Sequence, residues 1–223
     1  MEEEASVPLI LGISGSPRKG ATEYAVKTAL EMAQTLEGIE TAYWSVNQKK
    51  IGYCIHCDRC VREKSLCFQE DSVRELEELI VKADGIMIGS PVYDMNITGQ
   101  LAACFNRLRP MYIVHPSGFR YKVGGAIAVG GTRHGGQETT LSAINNFFLM
   151  NEMLVTTGPG GCYNGGKIWS KDARVQGAQE DIVGMNTVRA LGLAVAEATI
   201  ITSMGRVAFM DKYTSKLEAV RDH

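Results

Sequence analysis

Cys54, Cys57, Cys60 and Cys67 gather four of the six cysteines into fourteen residues, C-I-H-C-D-R-C-V-R-E-K-S-L-C. Thiols at i, i+3 and i+6, with a fourth seven residues on, can turn toward one centre if the backbone wraps it as a compact loop. Thiolates so close together repel, so a positive centre belongs among them: an iron-sulfur cluster or a zinc ion, with disulfides as the metal-free option. Zinc sites usually bring two C-x-x-C knuckles with a dozen or more residues between them. Three cysteines at two-residue gaps is instead the ferredoxin-type wrap around a cubane. The spacing therefore favours [4Fe-4S], with a zinc-stapled loop and two disulfides as the alternatives. Phe68, not proline, follows Cys67 and no second run exists, so all four thiols would ligate one cluster. His56 lies between two proposed ligands, but with four thiols present it is expected to point outward. Cys104, in an apolar helical pattern, reads as a small core residue, and Cys162 stands alone in a glycine-rich turn.

The elements around this loop repeat strand, loop, helix. Pro8–Ser14 is a short apolar run that breaks into Gly15, Ser16, Pro17, Arg18, Lys19 and Gly20, with an amphipathic stretch from Thr22 to Leu36 behind it. Such a loop can turn backbone N–H groups, serine hydroxyls and a helix N-terminus toward one phosphate. It is neither a G-x-G-x-x-G nor a Walker A loop, and taken alone a plain connection would use the same residues. Ile39–Val46 alternates as a second strand and feeds directly into the cysteine loop. Asp71 or Ser72 can cap a helix to Val81, with Val73, Leu76, Leu79 and Ile80 inward. Gly85–Gly89 reads as a buried parallel strand ending in Ser90, Pro91, Val92, Tyr93 and Asp94. A helix from about Thr98 to Leu108 follows.

Lys122–Val129 is a fourth strand, opening into G-G-T-R-H-G-G-Q-E at Gly130–Glu138, with a helix to Met150. Met153–Thr157 is a fifth strand, followed by a glycine-rich fragment, Gly158–Gly166. Ala178–Ala198 reads as a long helix weakened by Gly184 and Gly192, and Phe209–Val220 as a short one. Met150 and Met153 read as core. The whole is a doubly wound α/β domain over 1–223, a five-stranded parallel sheet with helices on both faces and a cysteine loop inserted at 50–70. Its loops after Ser14, Gly89 and Val129 emerge on one edge, where ligands bind at the switch point.

Composition narrows the class. Hydrophobic residues are 45% and charged residues 22% of 223, the balance of a soluble globular protein. A net charge of −2 gives no basic field for nucleic acid. No run is expected to supply the roughly 18 apolar residues of a membrane span, and the acidic start M-E-E-E is the wrong charge for a signal peptide. A cytoplasmic protein is expected, and a reducing cytoplasm argues against disulfides in the loop.

These motifs together resemble the flavodoxin-like NADPH-dependent FMN reductase superfamily and, within it, the iron-sulfur flavoproteins of anaerobic microbes. The resemblance is carried by G-I-S-G-S-P-R-K-G at Gly12–Gly20, the C-x2-C-x2-C-x6-C at Cys54–Cys67, S-P-V-Y at Ser90–Tyr93 and the loop at Gly130–Glu138. It implies FMN held by all three loops. Ser14, Ser16, Pro17, Arg18, Lys19, Gly20 and Thr22 match the phosphate loop; Ser90, Pro91, Val92 and Tyr93 match the segment beside the isoalloxazine ring; Gly130 and Gly131 match the third wall. Ala21 departs from the asparagine often found before the threonine of the first loop, which removes one side-chain hydrogen bond to phosphate. Gly158–Gly166 is longer than the pattern, long enough to cover the flavin or a neighbour's cluster.

By the same resemblance, FMN and a [4Fe-4S] cluster held by Cys54, Cys57, Cys60 and Cys67 pass electrons between a ferredoxin-like donor and a small acceptor, an oxygen species or a quinone. A homodimer or homotetramer is implied too. No catalytic side chain is required, since the chemistry belongs to the cofactors. The alternatives are an NAD(P)H-dependent FMN or quinone reductase whose cysteine loop is structural or binds zinc, and a flavin-less binding module shaped by zinc. Whether NAD(P)H serves as donor, and whether Arg133 and His134 meet flavin, substrate or solvent, is open on sequence alone.

Overall fold

The computed structural model describes residues 7–221; the acidic start at Met1–Glu4 lies outside them. The chain runs β1 (Leu9–Ser14), α1 (Ala21–Ala33), β2 (Glu40–Ser45), α2 (Arg59–Glu63), α3 (Val73–Lys82), β3 (Gly85–Pro91) and α4 (Gly99–Arg107). It continues through α5 (Met111–Val114), β4 (Val123–Gly130), α6 (Gln137–Met150), β5 (Leu154–Val155), β6 (Gly166–Trp169), α7 (Arg174–Glu180) and α8 (Ile182–Arg221). The sheet is parallel, in the order β2-β1-β3-β4-β5, with β6 also on β4. Its order reverses direction at β1 and β3, which is the flavodoxin-like arrangement.

The strands form where apolar runs are buried on both sides. On β1, Leu11 and Ile13 face a core shared with Val73, Leu76 and Ile80 of α3, Leu101 and Cys104 of α4 and Leu141, Ile144 and Phe148 of α6. Ile10 faces the opposite core, with Ala25, Val26 and Ala29 of α1 and Met185, Val188, Leu191 and Val195 of α8. Cys104 is fully buried, as expected, and burial pushes its thiol up to about 12.

Four features differ from the sequence reading. The fifth strand position is shared: β5 pairs only with Val123 and Gly124, the chain leaves the sheet, and β6 resumes against Ile127–Gly130. The helix expected over Ala178–Ala198 is broken at Asp181 and then runs unbroken through the segment expected to form a separate short helix. Gly192 does not weaken it, because a Cβ there would stand 2.3 Å from the Ala29 carbonyl oxygen of α1; the glycine permits the close approach of the two helices. Ile182–Arg206 also has the length and composition of a membrane span, at a mean hydropathy of 1.3, where none was expected. One face of this helix, with Met185, Val188, Leu191 and Val195, is buried in the second core, while Ile182, Val183, Ile201 and Met204 are exposed. Met153 is core, whereas Met150 is exposed.

Candidate functional site

Register brings the three loops together. Ser14 lies level with Gly89 of β3, and Gly89 with Ile127 of β4, so the carboxyl ends of β1, β3 and β4 open onto one edge. Gly15 N–H donates to Gly89 O at 2.7 Å, and Val92 N–H donates to Val129 O at 2.9 Å. Thr98, which caps α4 by accepting from Leu101 N–H, donates its hydroxyl to Gly15 O at 2.6 Å. Ser90 is fully buried; its hydroxyl donates to Pro91 O and accepts from Thr98 N–H, so this side chain ties the second loop to α4.

The second loop ends in a two-residue hairpin. Tyr93 and Asn96 exchange both backbone hydrogen bonds at 2.9 Å around Asp94 and Met95, whose φ values of 49° and 61° are those of a left-handed turn. This tip rests on the third loop: Thr139 Oγ1 donates to Met95 O, and a Cβ on Gly136, where φ is 107°, would meet Met95 Cα at 2.8 Å. Gln137 braces the third loop from inside, donating to Thr132 O and accepting from Gly135 N–H. Gly130 O accepts from Ser170 N–H and Oγ, and Gly131 O from Trp169 Nε1. Arg133 lies over the Trp169 ring at 4.4 Å, while His134 is exposed.

The first loop has the donors an anion needs. Ser16 Oγ folds back onto the loop, donating to Arg18 O and accepting from Arg18 N–H, and Asn47 Nδ2 donates to Pro17 O. Arg18 and Lys19 are exposed, and no side chain caps α1, so its first-turn N–H groups and its dipole face the loop. Thr22 is buried in that first turn. Ser14 is fully buried near the Tyr43 hydroxyl, yet its Oγ makes no hydrogen bond of normal geometry. A buried hydroxyl at the end of β1 and an uncapped helix N-terminus after the same loop fit a phosphate-bearing ligand.

The cysteine loop packs at the other end of α4. His56, Asp58 and Lys64, all non-glycine, take left-handed φ values of 52°, 55° and 47° and wrap the chain, with α2 as one short turn carrying Cys60. Cys54, Cys57, Cys60 and Cys67 are free thiols and together line one small cavity of about 20 Å³. Among the described residues no three His, Cys, Asp or Glu side chains converge as a metal-ligating group. In type and number the donors are those a cluster takes: four thiols line one cavity, with Arg107 and Arg109 in its wall. The His56 side chain is 75% exposed, outward as expected.

Arg107 holds this loop closed. Its guanidinium donates to Gly52 O, Gln69 Oε1, Gln69 O and both oxygens of Asp71, so it joins the segment entering the loop to the segment leaving it. Burial opposes the charge on Asp71, but hydrogen bonds from Arg107, Gly52 N–H and Val73 N–H outweigh it and hold the carboxyl below its usual range. Arg109 pairs with Asp58 at 2.7 Å, Arg62 donates to Cys57 O and Arg74 to Cys67 O. Glu77, buried behind Arg74, is raised by burial to about 7. Sequence reasoning missed Arg107, Gln69 and Arg109, since no local motif marks a charge buried by a distant partner. Thr98 was visible as the start of a helix but not as a tie between loops.

A family model described as NADPH-dependent FMN reductase matches residues 8–162. An iron-sulfur flavoprotein of Methanocaldococcus jannaschii is 44% identical over 181 residues, covering 81% of this chain and 91% of that protein. The chain belongs to the iron-sulfur flavoprotein family. An iron-sulfur flavoprotein of Archaeoglobus fulgidus is 40% identical over 182 residues, covering 81% of this chain and 92% of the other. The flavodoxin-like fold is shared with a WrbA-like protein from Agrobacterium tumefaciens, at a TM-score of 0.61 and 15% identity over 88% of this chain and 99% of that one. The chain is an FMN-dependent oxidoreductase working by flavin-based electron transfer.

Proposed function

We propose that the chain passes electrons between a ferredoxin-like donor, a [4Fe-4S] cluster and FMN, to a small acceptor such as an oxygen species or a quinone. The observation that carries this is the placement of four thiols on one cavity at one end of α4, whose other end caps the three-loop crevice. Bound there, FMN exchanges electrons in pairs or singly and the cluster exchanges them singly. Ser14, Ser16, Pro17, Arg18, Lys19, Gly20 and Thr22 hold the phosphate. Ser90, Pro91, Val92 and Tyr93 form the wall beside the ring, with Gly130 and Gly131 opposite. Cys54, Cys57, Cys60 and Cys67 ligate the cluster, and Arg107 and Arg109 offset their charge. The chain acts as one FMN-binding domain with its cysteine loop inserted at 50–70, in the cytoplasm, as a homodimer or homotetramer in which a cluster can serve a partner's flavin.

A second reading, an NAD(P)H-dependent FMN or quinone reductase with a structural or zinc-bound cysteine loop, is favoured by the nicotinamide named in the matching family's description. Anaerobic purification followed by iron, sulfide, zinc and flavin analysis separates the two. The expected result is one flavin with about four irons and four sulfides per chain, eluting from gel filtration as a dimer or tetramer. Flavin with zinc, or with no metal, supports the second reading and removes the first; a fully active monomer removes the oligomer.

A further inference from the structure

A second cavity, of about 600 Å³, lies beyond the carboxyl end of α4, between the cysteine loop, α5, the segment leading into β4 and the last turn of α6. That volume is in the range of small-molecule sites, and the flavin crevice lies at the opposite end of α4. Its floor is aromatic: Phe105 and Phe147 stack with centroids 3.9 Å apart, and Phe119 meets Phe147 edge-on at 5.7 Å. Tyr112, 57% exposed, stands at the mouth. A planar ring offered to these faces and edges stacks in the geometries aromatic pairs prefer.

Charge selects the rest of the ligand. Two guanidiniums, Arg109 and Arg120, line the cavity together with His56 and His115, against one carboxylate, Glu152. Arg109 spends one N–H on Asp58 and Arg120 Nε is ion-paired with Glu152 without a hydrogen bond, each at 2.7 Å, and a guanidinium has five N–H donors. Donors therefore remain for an anionic group held over an apolar floor. Cys54 and His56 line both this cavity and the small one shared by the four thiols, so an occupant lies directly against the cysteine loop.

We propose that this cavity binds a small planar aromatic anion at a site separate from the flavin crevice, and that a quinone bearing an acidic group is its redox-active ligand. The binding stands on the cavity; its redox meaning rests on the electron-transfer reading above. Reduction of such a quinone to the hydroquinone takes up two electrons, which leave the ferredoxin-like donor and arrive singly by way of the cysteine loop, and two protons from water.

Calorimetric titration of the loaded protein with 1,4-naphthoquinone-2-sulfonate and with the redox-inert 2-naphthalenesulfonate tests the site. Both are expected to saturate one site per chain. Arg120→Gln is expected to weaken both sulfonates about tenfold or more, as loss of a charge-assisted hydrogen bond does, while uncharged 1,4-naphthoquinone is little affected. Tyr112→Ala weakens all three. Glu152 is 65% exposed and can be solvated when its partner is removed, and Arg120→Lys restores the charge and part of the affinity. Retained flavin in each variant shows that the fold is kept. Absent binding, binding unchanged in both Arg120→Gln and Tyr112→Ala, or displacement by added FMN overturns the site. Iron and sulfide measured on the same sample keep the two ideas apart: binding by a protein that never carries a cluster sinks the redox meaning alone, and a cluster-loaded protein that binds no sulfonate sinks the site alone.

Discussion

Arg107 and Asp71 stand 36 residues apart in the chain and 2.7 Å apart in space, with side chains 2% and 4% exposed. Removing one partner of a buried ion pair leaves the other charge uncompensated, at a cost of about 3–5 kcal/mol. Arg107→Met is therefore expected to lower the unfolding free energy in urea by about that amount and to reduce iron bound per chain with the flavin retained. An unfolding curve matching the wild type would mean that the pair does not hold the loop. The four cysteines were legible in the sequence because their spacing is local. The arginine that closes them in was not, because nothing between positions 71 and 107 announces that an acid and a base meet under a loop. Glu77 shows the same blindness on a helix: Val73, Leu76 and Ile80 were expected inward and are, while the acid on the same face is buried with them.

At the scale of elements, α4 is the piece that matters most. Its nine residues span about 14 Å at 1.5 Å per residue, from the Thr98 cap bonded to the first loop to the Arg107 clasp on the cysteine loop. Thr98→Ala removes the cap, typically worth about 1 kcal/mol, together with the bond to Gly15 O. A loss of FMN affinity of about fivefold is expected in fluorescence titration, beyond the fall in stability. Unchanged affinity in a destabilised variant would reduce Thr98 to an ordinary cap. Strands β1, β3 and β4 were legible because parallel strands buried on both faces read as unbroken apolar runs. The division of the fifth strand was not, since only pairing with opposite ends of β4 makes Leu154–Val155 and Gly166–Trp169 one position. Gly184 and Gly192 argued against a long helix by propensity, and close packing, of Gly184 against Lys167 O and of Gly192 against Ala29, overrode them.

Across the whole molecule the two proposed cofactor sites occupy different parts of one frame. The proposed flavin crevice sits on the carboxyl edge of the sheet, where three loop motifs, two of them glycine-rich, pointed to it. The cysteine loop leaves after β2 and packs on the face covered by α3, α4 and α6, a placement that spacing alone does not reveal. Because the loop and the crevice share α4 but no ligand residue, the two cofactors should be separable by mutation. The most direct measurement is iron and flavin content of anaerobically prepared Cys60→Ser beside the wild type. The variant is expected to lose its iron and sulfide, and the visible shoulder they give, while keeping one FMN per chain. Iron unchanged in the variant, or FMN lost along with iron from a protein that remains folded, would contradict it.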